Sequence, residues 1–215
     1  TCTITPSDGT DNGIPQVATV TIDNTLPVVT NVNISPAPAF TGDLLTCGYD
    51  YTDDDGHIDS STITWMANGQ VLNTGETLVT TSTLVGGDTV TCAVTPYDGV
   101  GYASDVSTDL TITNTVPVVA NVSISPAPAF AGDDLLCEYD FTDADDNADN
   151  SLIEWTDSTG ASLGTGSPLI GSTFIRDDVI TCSVTANDGS EDGNVETAAI
   201  TITNTAPTLA SATIT

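Results

Sequence analysis

The sequence predicts an all-β chain of tandem antiparallel β-sandwiches. Three observations carry that expectation: an internal repeat of 90 residues, apolar residues alternating with period two, and turn dipeptides between the alternating runs. Residues 24–40, NTLPVVTNVNISPAPAF, return at 114–130 as NTVPVVANVSISPAPAF, and a third copy opens at Asn204 as NTAPTL. This spacing defines two complete repeats, 24–113 and 114–203. Residues 1–23 match the C-terminal strands of a preceding repeat, with TCTITPSDG standing against TCAVTPYDG and TCSVTANDG. Residues 204–215 match the first strand of a following one, so the chain reads as a window on a longer protein.

Each strand expectation rests on its own alternation. Leu45, Cys47 and Tyr49 are mirrored by Leu135, Cys137 and Tyr139, and Ile63 and Trp65 by Ile153 and Trp155. Val90, Cys92 and Val94 return as Ile180, Cys182 and Val184, and Leu110 and Ile112 as Ile200 and Ile202. Threonine stands at many of the intervening positions, among them Thr46, Thr64, Thr91, Thr111, Thr181 and Thr201, as strands with one wet face require. Asn68-Gly69, Gly86-Gly87, Asp98-Gly99 and Asp188-Gly189 mark turns. The Pro-Ala-Pro steps at 36–38 and 126–128 cannot continue a central ladder and predict a kinked edge strand.

Within each repeat the order is Cys, then Trp 18 residues later, then Cys 27 residues after that. This resembles the immunoglobulin superfamily signature, whose core Trp packs on a disulfide joining the two sheets. The resemblance implies immunoglobulin-like sandwiches with one disulfide per repeat, Cys47–Cys92 and Cys137–Cys182. Cys2 would pair with an upstream cysteine outside the window, and Trp65 and Trp155 would lie in the cores. Val90 and Ile180 stand where antibody-type domains place a tyrosine. The chain is thus more similar to the immunoglobulin-like and cadherin-like tandem repeats of large bacterial surface proteins, which share its NTxP joints and DG turns.

Composition narrows the function classes. Thirty Asp and Glu stand against one Arg and no Lys, for a net charge of −29, a field that repels nucleic-acid phosphates and anionic lipid. No apolar run in this window is long enough to span a membrane. The cysteines lie 45 residues apart with no CxxC or Cys/His cluster, which disfavours zinc and points to an oxidising, extracellular setting. Lys–Asn isopeptide cross-links are impossible without lysine. Catalysis finds little support, because His57 is the single histidine, Asn147 takes its place in the next repeat, and carboxylates alone remain as acid or base. Non-enzymatic function is the expectation.

The sharpest local signal follows the first Cys strand of each repeat. It reads Asp53-Asp54-Asp55-Gly56-His57-Ile58-Asp59 and then Asp143-Ala144-Asp145-Asp146-Asn147-Ala148-Asp149. Oxygen donors at alternating positions resemble the front half of a calcium loop, without the distant bidentate Glu of an EF-hand. The competing reading is a solvated acidic loop in a chain that is acidic throughout. A calcium site would take Asp53, Asp55, Asp59 and Asp98 in one repeat, and Asp143, Asp145, Asn147, Asp149 and Asp188 in the next. In a sandwich of this topology the second group would sit near Asn114 and face the turns at Asp43 and Asp88. His57 is a poorer calcium ligand than Asn147, so the first site would be the weaker.

Two functions fit these features. Near-identical joints suggest one geometry used repeatedly, as in an extracellular filament or cell-surface stalk whose partners are further repeats of the same protein. A ligand-binding adhesin gripping glycan or protein through its loops is the alternative. The loop after Trp varies between repeats (MANGQVLNTGE against TDSTGASLGTGS) while the joint does not, which favours the scaffold.

Overall fold

The computed structural model describes residues 1–81 and 83–211, and these hold strands and no helix. In chain order the strands are β1 (Cys2–Ile4), β2 (Gln16–Ala18), β3 (Val28–Ser35), β4 (Ala39–Phe40), β5 (Leu44–Thr52), β6 (Thr62–Ala67), β7 (Gln70–Thr74) and β8 (Thr77–Val79). There follow β9 (Thr89–Thr95), β10 (Val106–Thr113), β11 (Val118–Ser125), β12 (Leu136–Thr142), β13 (Leu152–Thr156), β14 (Ser162–Thr165), β15 (Val179–Asn187) and β16 (Asp192–Thr201). They fall into two compact units.

The first unit comprises Thr1–Ser35, Thr46–Leu78 and Thr91–Asp109. β1 and β2 form an exposed antiparallel hairpin, with Cys2 opposite Ala18. β3 pairs antiparallel with β5, placing Ile34 opposite Cys47, and β8 borders β5. Between Thr30 and Asn33 the register shifts; Asn31 takes φ 54° there and donates its amide to Asp50 at 2.6 Å. In the other sheet β6 lies between β7 and β9, with β10 beyond β9. Asn68 and Gly69 join β6 to β7 at φ 51° and 74°, the positive angles a type I′ hairpin turn demands.

Alternation set this core. Cys47 on β5 and Cys92 on β9 are disulfide-bonded with Cα atoms 6.3 Å apart, so the bridge joins the two sheets. Trp65 is fully buried, and its indole N–H donates to Gly75 O at 3.0 Å, which satisfies the ring's one polar atom. Burying such a side chain contributes about 3 kcal/mol.

The second unit comprises Pro36–Leu45, Val79–Val90 and Leu110–Thr215. Its larger sheet has the order β14-β13-β15-β16, and β11 pairs with β12. Val119, Ile124 and Cys137 meet Trp155, Phe174, Ile180, Cys182, Val184 and Ile202 in one core. The Cys137–Cys182 disulfide crosses it, and the Trp155 indole donates to Gly166 O at 2.7 Å. Residues 36–38 bend the chain ahead of β4, which pairs parallel with the end of β10, Ala39 beside Ile112. A matching parallel bridge joins Phe130 to Thr203. The chain is therefore all-β, built as immunoglobulin-like antiparallel sandwiches with two disulfides.

The line between the units does not follow the repeat, because residues 36–45, 79–90 and 110–113 group with the second unit. Residues 212–215 of the predicted strand 204–215 lie outside the described residues.

Candidate metal centre

In the first unit the loop after β5 brings Asp53 and His57 together with Asp98 from the turn after β9. One ligand atom from each lies within 4.8 Å of the others. The chain folds this way locally because Asp53 Oδ1 accepts the His57 N–H at 2.9 Å, closing the loop on itself, while Gly56 holds φ 76°. Asp98 Oδ1 accepts the N–H groups of Val100 and Gly101 at 2.7 and 2.6 Å. Its second oxygen takes the Asn24 amide at 2.8 Å. The Gly101 N–H leads in holding the Asp98 carboxyl down at about 2; burial opposes it, and the Asn24 amide, the Val100 N–H and the nearby His57 reinforce it.

The side chains of Asp53 and Asp98 are 1% and 0% exposed, and His57 Nδ1 lies 3.6 and 3.8 Å from their oxygens. Two buried oxygens here have no hydrogen-bond donor, Asp53 Oδ2 and Asn24 Oδ1. A buried acceptor without a partner costs about 1–3 kcal/mol, and more when charged. A cation would supply the missing partner.

The second unit repeats this hydrogen bonding. Asp143 Oδ1 accepts the N–H groups of Asp145 and Asn147 at 2.8 and 3.2 Å. Asp188 Oδ1 accepts those of Ser190 and Glu191 at 2.6 and 2.7 Å, and Asp188 Oδ2 takes the Asn114 amide at 2.9 Å. The Asn114 amide is the leading cause that holds the Asp188 carboxyl below its ordinary value. Asp143 Oδ2 and Asn147 Oδ1 are again buried without a donor. An oxygen thus replaces the imidazole nitrogen of His57. Oxygen donors without sulfur suit a hard cation such as Ca²⁺, which takes six to eight oxygens.

The remaining predicted ligands point elsewhere. Asp59 accepts from Tyr49 Oη at 2.9 Å and from the Ser61 N–H at 2.8 Å; Asp149 does the same for Tyr139 and Ser151. Asp55 Oδ2 accepts the Thr25 N–H at 2.6 Å. Asp145, 3% exposed, accepts the Thr115 N–H at 2.5 Å on one oxygen, and the Gly86 N–H at 2.9 Å and the Thr41 hydroxyl on the other. Burial pushes the Asp145 carboxyl up, yet these bonds together outweigh it and hold it below its ordinary value. Asp43 and Asp88 cap the turns that carry Thr41 and Gly86, accepting from Phe40 N–H and Val85 N–H. Asn24 and Asn114 were missed as site residues, although the Asn-Thr pair stands unchanged at all three joints.

No protein-family model matches the chain, and no curated protein matches it. Among solved structures, a two-domain fibronectin type III segment of chicken tenascin is similar at 13% identity and TM-score 0.45, covering 83% of this chain and 99% of that one. Three N-terminal domains of the bacteriophage RB49 outer capsid protein Hoc align at 14% identity and TM-score 0.38, over 84% of this chain and 71% of that one. The FN1–FN3 domains of chicken CNTN1 align at 10% identity and TM-score 0.36, over 90% of this chain and 73% of that one. What the fold itself shows is a chain of antiparallel β-sandwiches, each crossed by a disulfide.

Proposed function

We propose that this chain is a structural segment of an extracellular filament or cell-surface stalk. Its repeats 24–113 and 114–203 each carry a calcium site at the end where the chain enters. The observation that carries the reading is a buried carboxylate oxygen without a donor at the same place in both repeats, Asp53 Oδ2 and Asp143 Oδ2, joined by a second such oxygen in each, Asn24 Oδ1 and Asn147 Oδ1. Each set is tied through an aspartate to the asparagine that opens its repeat. Calcium held there would fix the entering strand to two loops and stiffen every joint of a tandem array. Two disulfides fit an extracellular location, where they persist. No helix among the described residues is long and apolar enough to cross a membrane.

Calorimetric titration of the chain with Ca²⁺, paired with thermal melting in calcium and in chelator at fixed ionic strength, tests the site. Saturable binding with a raised Tm supports the reading through mass action. An unchanged Tm with no binding heat leaves only solvated acid and defeats the calcium site. Electron microscopy of the native material tests the filament separately, and a compact particle would count against it.

A further inference from the structure

The turn that meets Asp145 exists twice, and its two copies are chemically different. Gly86, in the first copy, gives its N–H to Asp145, and a Cβ there would come 2.7 Å from Asn114 Cα and 3.0 Å from the Asp145 carboxylate. One repeat later the same position is Arg176, the single cation among the chain's charged residues. The turns are built alike. Val85 N–H donates to Asp88 at 3.1 Å as Ile175 N–H does to Asp178 at 2.8 Å. Gly87 N–H reaches Ile112 O at 2.8 Å as Asp177 N–H reaches Ile202 O at 3.0 Å. Phe40 N–H is capped by Asp43 and Phe130 N–H by Asp133, both at 2.8 Å. Ala131 stands where Thr41 offers its hydroxyl.

We propose that Ala131, Arg176 and Asn204 form a receiving surface for the acidic loop of a further repeat of this kind. There the Arg176 guanidinium takes the carboxylate that Thr41 and Gly86 take from Asp145. The inference rests on the tandem reading above. Arg176 Nη1 donates to Asn204 Oδ1 at 2.9 Å, which orients the guanidinium on the residue that corresponds to Asn114. Its Nε donates to Asp177 at 3.0 Å, and the side chain remains 60% exposed, so further N–H groups are free to bind. The partner is defined by chemistry: a loop with Asp two residues after its first Asp, as in Asp53/Asp55 and Asp143/Asp145. Ala131 lacks the hydroxyl that Thr41 offers, while Arg176 keeps its backbone N–H and adds a charged guanidinium donor. This joint is therefore salt-sensitive where the Asp145 joint is not.

The test lengthens the full chain by one more copy of residues 114–203, placed after Thr203, and combines Arg176→Gln with Asn at the appended copy's counterpart of Asp145. Unfolding of the single and double variants should show a coupling of roughly threefold or more that disappears in high salt. In the original 215-residue chain, Arg176→Gln should change little. Additive effects in a lengthened chain that forms its third disulfide would overturn the receiving surface and leave the tandem reading standing. Failure of the appended copy to form its disulfide would overturn both.

Discussion

The backbone N–H of Gly86 donates to Asp145 Oδ1 at 2.9 Å, across 59 residues of sequence. The same carboxylate takes the Thr41 hydroxyl and the Thr115 N–H, so one side chain ties together three separate stretches of the second unit. Asp55 occupies the corresponding place in the preceding repeat, where the counterparts of Thr41 and Gly86 fall outside this sequence, and it accepts the Thr25 N–H. Asp145→Ala should therefore cost about 2–4 kcal/mol, because two backbone N–H groups lose their acceptor in a buried setting. Asp55→Ala should cost about 1 kcal/mol or less. Chemical denaturation of the two variants, side by side, reads the difference, and equal losses would remove Asp145 from this role.

Gly86→Ala probes the same contact from the opposite side. Its φ lies outside the left-handed region, so the expected loss comes from space alone: the new methyl meets the Asn114 backbone. A backbone neighbour cannot swing away as a side chain can, so the variant should lose about 1–3 kcal/mol. Gly42→Ala has open space around its Cβ but φ 96°, so any loss there reports backbone strain alone.

The loop ligands give a second contrast. His57→Asn makes the first cluster match the second, replacing a nitrogen with an oxygen beside Asp53. Calcium affinity at that cluster should rise roughly tenfold. Asn147→His should do the reverse. Titration calorimetry that finds neither variant altering calcium binding would place the ion, if it binds, away from these side chains.

Sandwich and repeat were legible in the sequence because each depends on a regular spacing, period two for faces and 90 for repeats. The disulfide partners follow from the resemblance to the immunoglobulin Cys–Trp–Cys order, since an even 45-residue spacing favours no pairing by itself. The candidate cluster was legible only in part. Asp53, Asp98, Asp143 and Asp188 could be read from clustered oxygen donors, but Asp59 and Asp149 look identical to them in sequence. Both carboxylates turn instead to a tyrosine ten residues earlier, Tyr49 or Tyr139, a cross-loop contact that spacing does not encode. Asn24 was hidden because its role depends on an aspartate 74 residues away. Gly86 reads from sequence as half of a turn dipeptide, and nothing in the chain's periodicity shows that its missing side chain makes room for Asp145.

Reduction should unfold the sandwiches. Each disulfide closes a loop of 45 residues and contributes about 4 kcal/mol in the chain-entropy account. That is comparable to the whole net stability of a small domain. Melting with and without reductant checks it, and Trp65 and Trp155 fluorescence reports loss of the two cores separately in single-Trp variants.

Tyr49 provides an alkaline marker. Burial first, and its hydrogen bond to Asp59 second, push its hydroxyl up to about 12 from 10.0. The neutral form is the one favoured in the fold, so this contribution is complete below pH 10 and is lost as pH rises through about 12. Spectrophotometric titration should show a late phenolate step that Tyr49→Phe removes, with the variant's stability less sensitive to pH across that window.

The parallel pairing of β4 with β10 has a mechanical meaning. Ala39 and Phe40 lie alongside Ile112 and Thr113 in the same direction, and Phe130 lies likewise beside Thr203. Tension that draws the leading segment one way and the trailing segment the other slides these pairs along their common axis, loading their hydrogen bonds together. Antiparallel neighbours pulled from one end would peel apart bond by bond. Resistance to rupture is then set by the rate at which this short patch gives way, a kinetic quantity that equilibrium melting does not measure.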